Sequence, residues 1–165
     1  MLRLVFPSIK YQESFVKAIQ EYVDAKELYK KEAVQLIKKA GDKASFNRKK
    51  VLENKPVSCH YWLVDGKNYI GRINIRHKLN KTEQRESGHI GYAIRPSKRN
   101  LGHGANILRL GLLKAKKLGI REVLVICDKN NIGSIKIIEA NGGVLINEIK
   151  IKNQKIPILR FRIKL

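Results

Sequence analysis

The stretch RPSKRNLGHGANILRL, from Arg95 to Leu110, decides the fold of this chain of 165 residues. Two glycines, Gly102 and Gly104, stand between a strand pattern and an apolar helical pattern, and basic side chains precede them. Glycine lets backbone N–H groups turn toward one point, and the first turn of a helix adds unpaired N–H groups and a positive dipole end. The stretch therefore predicts either an ordinary strand–helix turn or a cradle for a pyrophosphate.

Hydrophobic periodicity on both sides of this loop predicts a mixed α/β sheet covered by helices. The predicted helices cover residues 9–24, 26–40, 104–118 and 131–140, and the predicted strands cover 2–6, 61–64, 69–78, 89–95, 123–127, 144–152 and 157–164. The charged segment 79–87 is predicted to be a loop, and so is the polar segment 42–56, with or without a further helical turn. The chain contains no internal repeat, linker or low-complexity tract, which predicts one domain over residues 1–165.

The composition limits the classes of protein to which this chain can belong. The formal net charge is +21, from 35 Lys and Arg against 14 Asp and Glu, and such a surface attracts nucleic acid, anionic lipid or a phosphorylated small molecule. The basic residues recur in almost every segment, which favours lysines spread over solvated faces.

The two cysteines, Cys59 and Cys127, form no metal-ligand pattern and indicate a reduced protein without a metal. No apolar run is long enough to span a membrane, and MLRLVFPSIK lacks the features of a secretory signal, so we expect a cytoplasmic location.

The segment RNLGHG, from Arg99 to Gly104, resembles the acetyl-CoA-binding motif of the GNAT superfamily of N-acetyltransferases, which is Arg or Gln, two residues, Gly, one residue, and Gly or Ala. It lies between the fourth predicted strand and the following helix, as in that family. Downstream, Asn131, Ser134 and the Asn141–Gly143 ending resemble further family positions. The stretches GHIGYAIRPS and CDKNNIGSIKIIEANGG also resemble a subgroup of bacterial acetyltransferases that carries an aliphatic residue in place of a catalytic tyrosine.

The resemblance implies a single-domain fold with a mostly antiparallel sheet, flanking helices, and fourth and fifth strands that splay apart. It also implies acetyl-CoA as co-substrate, no metal, and direct transfer of the acetyl group to a primary amine in a ternary complex. The cofactor would lie along the edge of the fourth strand, on the glycine loop, and beside the Asn and Ser downstream. The implied cofactor-binding residues are Ala93, Ile94, Arg99, Asn100, Leu101, Gly102, His103, Gly104, Ala105, Asn131 and Ser134.

The motif identifies the cofactor-binding residues more closely than it identifies the catalytic groups. His89 opens the fourth strand and is a candidate base because imidazole titrates near neutral pH, although a structural role at the strand end is also open. Glu86, just before it, is a second candidate. Many members of the family carry a tyrosine acid where this chain has Ile138, so Tyr92, Cys127 or solvent would protonate the leaving thiolate. Cys127 lies in a buried strand pattern, which also fits a core residue.

These observations favour an acetyl-CoA-dependent N-acetyltransferase that acts on a small amine or a peptide amine. The alternatives are a basic protein associated with nucleic acid, and an acyl-CoA-binding regulator without turnover. A strongly positive surface repels a polycationic acceptor, which disfavours polyamines and histone-like tails. The acceptor itself and the formation of a homodimer are left open by the sequence.

Overall fold

A computed structural model describes residues 1–41 and 58–165, and the predicted loop at 42–56 lies outside the described residues. The strands are β1 Leu2–Val5, β2 Ser58–Asp65, β3 Asn68–Arg76, β4 Ile90–Ile94, β5 Glu122–Asp128, β6 Val144–Ile149 and β7 Ile158–Lys164. The helices are α1 Gln12–Asp24, α2 Lys30–Gly41, α3 Lys81–Glu86, α4 His103–Lys117 and α5 Ile132–Glu139, and short 3-10 turns cover Ile9–Tyr11 and Pro96–Lys98. Within the described residues, no helix has the length and apolarity needed to cross a membrane.

One sheet of seven strands runs in the order β1-β2-β3-β4-β5-β7-β6. Every neighbouring pair is antiparallel except β4 and β5, which are parallel. Their parallel ladder consists of one residue pair, Ile90 with Val125, after which the two strands separate. The prediction of a mixed, mostly antiparallel sheet with splayed fourth and fifth strands is confirmed.

Helices pack on both faces of the sheet because both faces carry apolar side chains. On one face, Ile107 and Leu108 of α4 and Ile138 of α5 join the main core. On the other face, Phe15 of α1 stacks on Trp62 of β2 with ring centroids 4.6 Å apart. Among the described residues no polar or charged residue is buried as a whole. The core is therefore held mainly by the hydrophobic effect.

The segment 79–87 contains a helix, so the prediction that it is a loop was wrong. The Asn80 side chain accepts a hydrogen bond from the backbone N–H of Glu83 at 2.9 Å, and the Glu83 side chain accepts one from the N–H of Asn80 at 2.9 Å. This reciprocal capping box satisfies two N–H groups that a short helix otherwise leaves unpaired. The consequence for the site is that Glu86 is the last residue of α3 rather than part of an irregular loop.

Two ion pairs fasten α1 and the residues after it to the loop between β4 and α4. The Arg95 guanidinium donates to the Glu21 carboxylate at 2.7 and 2.9 Å, and the backbone N–H of Ser97 donates to the same carboxylate at 3.1 Å. The Arg99 guanidinium donates to both carboxylate oxygens of Glu27, at 2.5 and 2.6 Å. These contacts fix the entrance of the glycine loop.

The Glu21 contacts predict a pH dependence of stability. Hydrogen bonding by Arg95 is the main cause that lowers the Glu21 pKa from 4.5 to about 2. Because the pKa is lower in the folded chain, the stabilisation is complete above about pH 4.5 and is lost as the pH falls toward about 2. Glu21→Gln should therefore lower the free energy of unfolding at pH 7 and reduce its decline through the acid range, measured by urea unfolding at a series of pH values.

The matched control for this measurement is Glu139→Gln. Glu139 is exposed on α5 and belongs to no ion pair among residues 1–41 and 58–165. An equal acid-range slope in the Glu21 variant and the control would contradict the assignment.

Candidate active site

The gap between β4 and β5 exposes main-chain hydrogen-bonding groups on β4. The two residues that flank β4 bond to β3, because the His89 carbonyl accepts from the Arg76 N–H and the Arg95 N–H donates to the Ile70 carbonyl. Antiparallel pairing alternates the direction of successive main-chain groups. The N–H and C=O groups of Tyr92 and the N–H of Ile94 therefore point toward β5, beyond the single Ile90–Val125 pair, whereas the Ile94 carbonyl accepts a hydrogen bond from Arg99. The main-chain groups of Ala93 point toward β3 instead. The edge offered at Tyr92 and Ile94 is the kind of edge to which an extended ligand can add as a strand.

The glycine loop leads directly into the first turn of α4. Gly102 is the N-cap, with φ +74° and no side-chain cap on the helix, and Asn100 also has a positive φ of 57°. A Cβ added at Gly102 would meet nothing within 4 Å, so the space beside this N-terminus is open. A Cβ at Gly104 would lie 2.3 Å from Ile137 Cδ1, which makes Gly104 a packing residue between α4 and α5. The open N-terminus fits a pyrophosphate, which binds to free N–H groups and the positive dipole end.

The remaining residues of the loop differ in where their side chains lie. Arg99 directs its guanidinium to Glu27 and its Nε to the Ile94 carbonyl at 3.1 Å, so that the side chain anchors the loop. The Leu101 side chain is exposed. His103 has an Nδ1 without a hydrogen-bond partner among the described residues. The carbonyl of Ala105 accepts from the Asn141 side chain at 3.3 Å, which ties α4 to the end of α5.

A cavity of about 280 Å³ occupies the gap between β4 and β5. It brings together five of the residues proposed from the sequence and leaves His89, Ala93, Ile94 and the glycine loop outside its wall. The lining residues are Glu86, Ile90, Gly91, Tyr92, Ile126, Cys127, Asp128, Asn131, Ser134, Gln154 and Ile158.

His89 joins β4 to β5 at the start of the gap. Its imidazole Nδ1 accepts a hydrogen bond from the backbone N–H of Leu124 at 3.0 Å. The backbone N–H of His89 donates to the Leu124 carbonyl at 2.7 Å. Burial lowers the pKa of His89, which keeps the imidazole neutral and able to accept that bond. This geometry gives His89 a structural role at the strand junction.

Tyr92 and Cys127 are the two side chains that the sequence analysis proposes as proton donors to the leaving thiolate. The Tyr92 hydroxyl donates to the Ser134 carbonyl at 3.5 Å, and burial raises its pKa to about 12. Burial also raises the pKa of the Cys127 thiol, to about 11. Both groups are therefore protonated at neutral pH. Ile138 is fully buried and packs on Gly143, so its side chain belongs to the core rather than to the cavity.

Two carboxylates line the cavity, although acidic residues are few in this chain. Glu86 ends α3 with a side chain 33% exposed, and the Arg85 guanidinium lies 3.9 Å away. Asp128 ends β5 and is exposed at the cavity. Asp128 and Gln154 were not predicted as site residues. Asp128 could have been proposed as a site residue because it is a polar residue directly after the buried VLVIC strand. No feature of the sequence separates Gln154 from other exposed polar residues.

Asn131 and Ser134 lie at the start of α5. The Asn131 side chain caps the helix by accepting from the Ser134 N–H at 3.0 Å. The residues described include no cluster of three or more His, Cys, Asp or Glu suited to a metal ion.

Comparison with known proteins agrees with this geometry. The model of the acetyltransferase (GNAT) domain family matches residues 12–144. RimL, a ribosomal L7/L12 alpha-N-protein acetyltransferase in complex with coenzyme A, superposes with a TM-score of 0.70 at 12% identity, over 99% of this chain and 94% of that one. The microcin C7 self-immunity acetyltransferase MccE, in complex with acetyl-CoA and AMP, gives 0.69 at 14% identity, over 99% and 92%.

A spermidine N-acetyltransferase chimera from Vibrio cholerae and hSSAT gives a TM-score of 0.66 at 13% identity, over 99% of this chain and 95% of that one. No curated protein sequence matches the chain at a significant level. At these identities the solved structures establish the fold, and the family match covers most of the chain. The chain therefore belongs to the GNAT family of N-acetyltransferases, with acetyl-CoA as co-substrate.

Proposed function

We propose that residues 1–165 form one catalytic domain that acetylates a primary amine of a small molecule or peptide by direct attack in a ternary complex. The observation that carries this proposal is the cavity in the β4–β5 gap. It joins a carboxylate, Glu86, to the strand edge at Tyr92, and the open N-terminus of α4 follows that strand along the chain. A ternary complex needs a cofactor groove and an acceptor space that meet, and this cavity is a meeting point of that kind.

The chain's own groups divide between holding the cofactor and positioning the acceptor. We assign the pyrophosphate to the N–H groups from Gly102 to Ala105, and the pantetheine arm to the main chain of Tyr92 and Ile94. Asn131 and Ser134 flank the gap on its far side. Acetyl-CoA supplies the acetyl thioester, and the Ile94 N–H, which points toward β5, would donate a hydrogen bond to the carbonyl oxygen of that thioester.

Glu86 is the proposed general base. A primary amine has a pKa of about 10 in water and must lose a proton before it can attack. The Glu86 carboxylate lines the cavity and can accept that proton directly or through one water. The buried Tyr92 hydroxyl holds its proton tightly because its pKa is about 12, so we propose that it donates a hydrogen bond rather than delivering a proton.

The test of cofactor binding compares thermal unfolding with acetyl-CoA and with ATP, followed by thiol release in the presence of amines. A ligand at a hundredfold excess over its dissociation constant adds about 2.7 kcal/mol of stability. Gly102→Ala should lose most of this stabilisation, because its Cβ projects into the open space at the α4 N-terminus. We expect acetyl-CoA to stabilise the wild type more than ATP does.

Gly119→Ala is the matched control. Gly119 lies just after the other end of α4, also has a positive φ, of 81°, and also has nothing within 4 Å of an added Cβ. Both variants therefore carry the same kind of backbone strain, and only Gly102 belongs to the loop.

Equal stabilisation by ATP and acetyl-CoA would indicate a general response to polyanions and would favour the nucleic-acid alternative. Selective stabilisation without thiol release from any amine would favour the regulator alternative. The cytoplasmic location and the homodimer stay predictions.

A further inference from the structure

On the sheet face that carries α1, polar residues lie beside the cavity. His60 of β2 lies opposite Asn74 of β3, and Asn74 lies opposite Gly91 of β4. Residues directly opposite in antiparallel strands share a face, so these positions form a row that ends at the cavity wall. A Cβ added at Gly91 would meet no atom of residues 1–41 and 58–165 within 4 Å. Open space therefore connects the cavity to this row. We call the row of His60, Asn74 and Gly91, together with Arg72, the polar platform.

Arg72 supplies the positive charge of the polar platform. It is exposed on β3, one step diagonally from Gly91, which corresponds to about 7–8 Å between backbones. Among residues 1–41 and 58–165, no carboxylate pairs with Arg72, whereas Arg76, Arg95 and Arg99 each have a glutamate partner. The positive charge of Arg72 is therefore not neutralised by a carboxylate of the described residues.

The other members of the polar platform carry no formal charge. Asn74 Oδ1 is buried without a hydrogen-bond partner in the described part of the chain. Burial, Arg76 and Arg72 lower the pKa of His60, so its imidazole stays neutral. Arg72 is the charged member of the platform.

Opposite charges thus flank the open space at Gly91. Glu86 and Asp128 line the cavity on one side, and Arg72 stands on the platform on the other. The two carboxylates would attract an ammonium group, and the guanidinium would bind a carboxylate or a phosphate through paired N–H donors. A diamine would place its second positive charge beside Arg72, which costs free energy through like-charge repulsion.

We propose that the acceptor is a small zwitterionic amine, whose ammonium binds at Glu86 and Asp128 and whose anionic group binds at Arg72. This inference rests on the proposed function and adds the substrate class to it. The shared chemistry is an amine and an anion in one small molecule, and the anion is either a carboxylate or a phosphate.

The test is a panel of matched acceptors measured by thiol release. It contains γ-aminobutyrate with γ-aminobutyramide, phosphoethanolamine with ethanolamine, and putrescine. The wild type should use the anionic member of at least one pair with a kcat/KM about tenfold higher, and putrescine should be a poor acceptor. The pair that shows the preference distinguishes carboxylate from phosphate. Arg72→Gln should remove the preference, while Arg109→Gln, which changes an exposed arginine on α4, should retain it.

A binding measurement separates this inference from the proposed function. The same panel is tested for thermal stabilisation of the CoA-saturated protein, which needs no turnover. Selective stabilisation by anionic amines without thiol release would contradict the proposed function and retain the zwitterionic ligand. No preference for the anionic members in either measurement, or a preference that survives Arg72→Gln, would overturn the proposal.

Discussion

Replacing Gly88 with alanine should lower the free energy of unfolding by about 3 kcal/mol. Gly88 has φ +69°, and an added Cβ would lie 2.5 Å from the Leu124 carbonyl oxygen. That oxygen also accepts the His89 N–H at 2.7 Å, so it cannot move away without breaking the junction of β4 and β5. Equilibrium urea unfolding followed by circular dichroism measures the loss.

Gly66→Ala separates backbone strain from the clash. Gly66 lies in the turn between β2 and β3 with φ +56°, and nothing lies within 4 Å of an added Cβ there. Its substitution should cost about 1 kcal/mol, which is the penalty of the left-handed conformation alone. Equal losses in the two variants would show that β5 yields at Leu124, and the junction would then not be rigid.

Replacing Glu86 with glutamine should reduce kcat by about a hundredfold, because general-base catalysis contributes a factor of that order. Glutamine keeps the size of the side chain at the end of α3 and removes its ability to accept a proton. The measurement is thiol release at saturating acetyl-CoA and acceptor. Binding of acetyl-CoA, followed by thermal stabilisation, should not change, because Glu86 is not among the proposed cofactor contacts.

The controls decide which carboxylate acts. Asp128→Asn removes the second carboxylate in the cavity and should reduce kcat less than the Glu86 variant does. Glu139→Gln removes an exposed charge on α5 and should leave kcat unchanged. A near-normal rate in Glu86→Gln together with a large loss in Asp128→Asn would transfer the role of base to Asp128.

The sequence predicted the order of the long elements well because their signals are local. The apolar spacing of α4, the continuous VLVIC run of β5 and the glycines at 102 and 104 each depend on residues close together in the chain. The helix α3 was missed because charged residues obscured the Asn80–Glu83 capping box, although the spacing was present.

The site was predicted less completely because its geometry depends on contacts between distant segments. The role of His89 as a base stays a prediction, and its hydrogen bond with Leu124 follows from the approach of β5, 35 residues away in the chain. Gln154 reaches the cavity because it lies in the connection between β6 and β7, and the course of that connection cannot be obtained from residue types. The orientation of Ile138 toward the core likewise depends on how α5 docks.

The ion pairs at Glu21 and Glu27 have a consequence for folding. They join residues 74 and 72 positions apart in the chain, so the cofactor loop acquires its anchors only after α1 has docked on the sheet. Such long-range contacts raise the contact order and slow folding. They also make the loop and α1 one cooperative unit, so that cofactor binding should protect the amides of α1 from hydrogen exchange although α1 does not line the cavity.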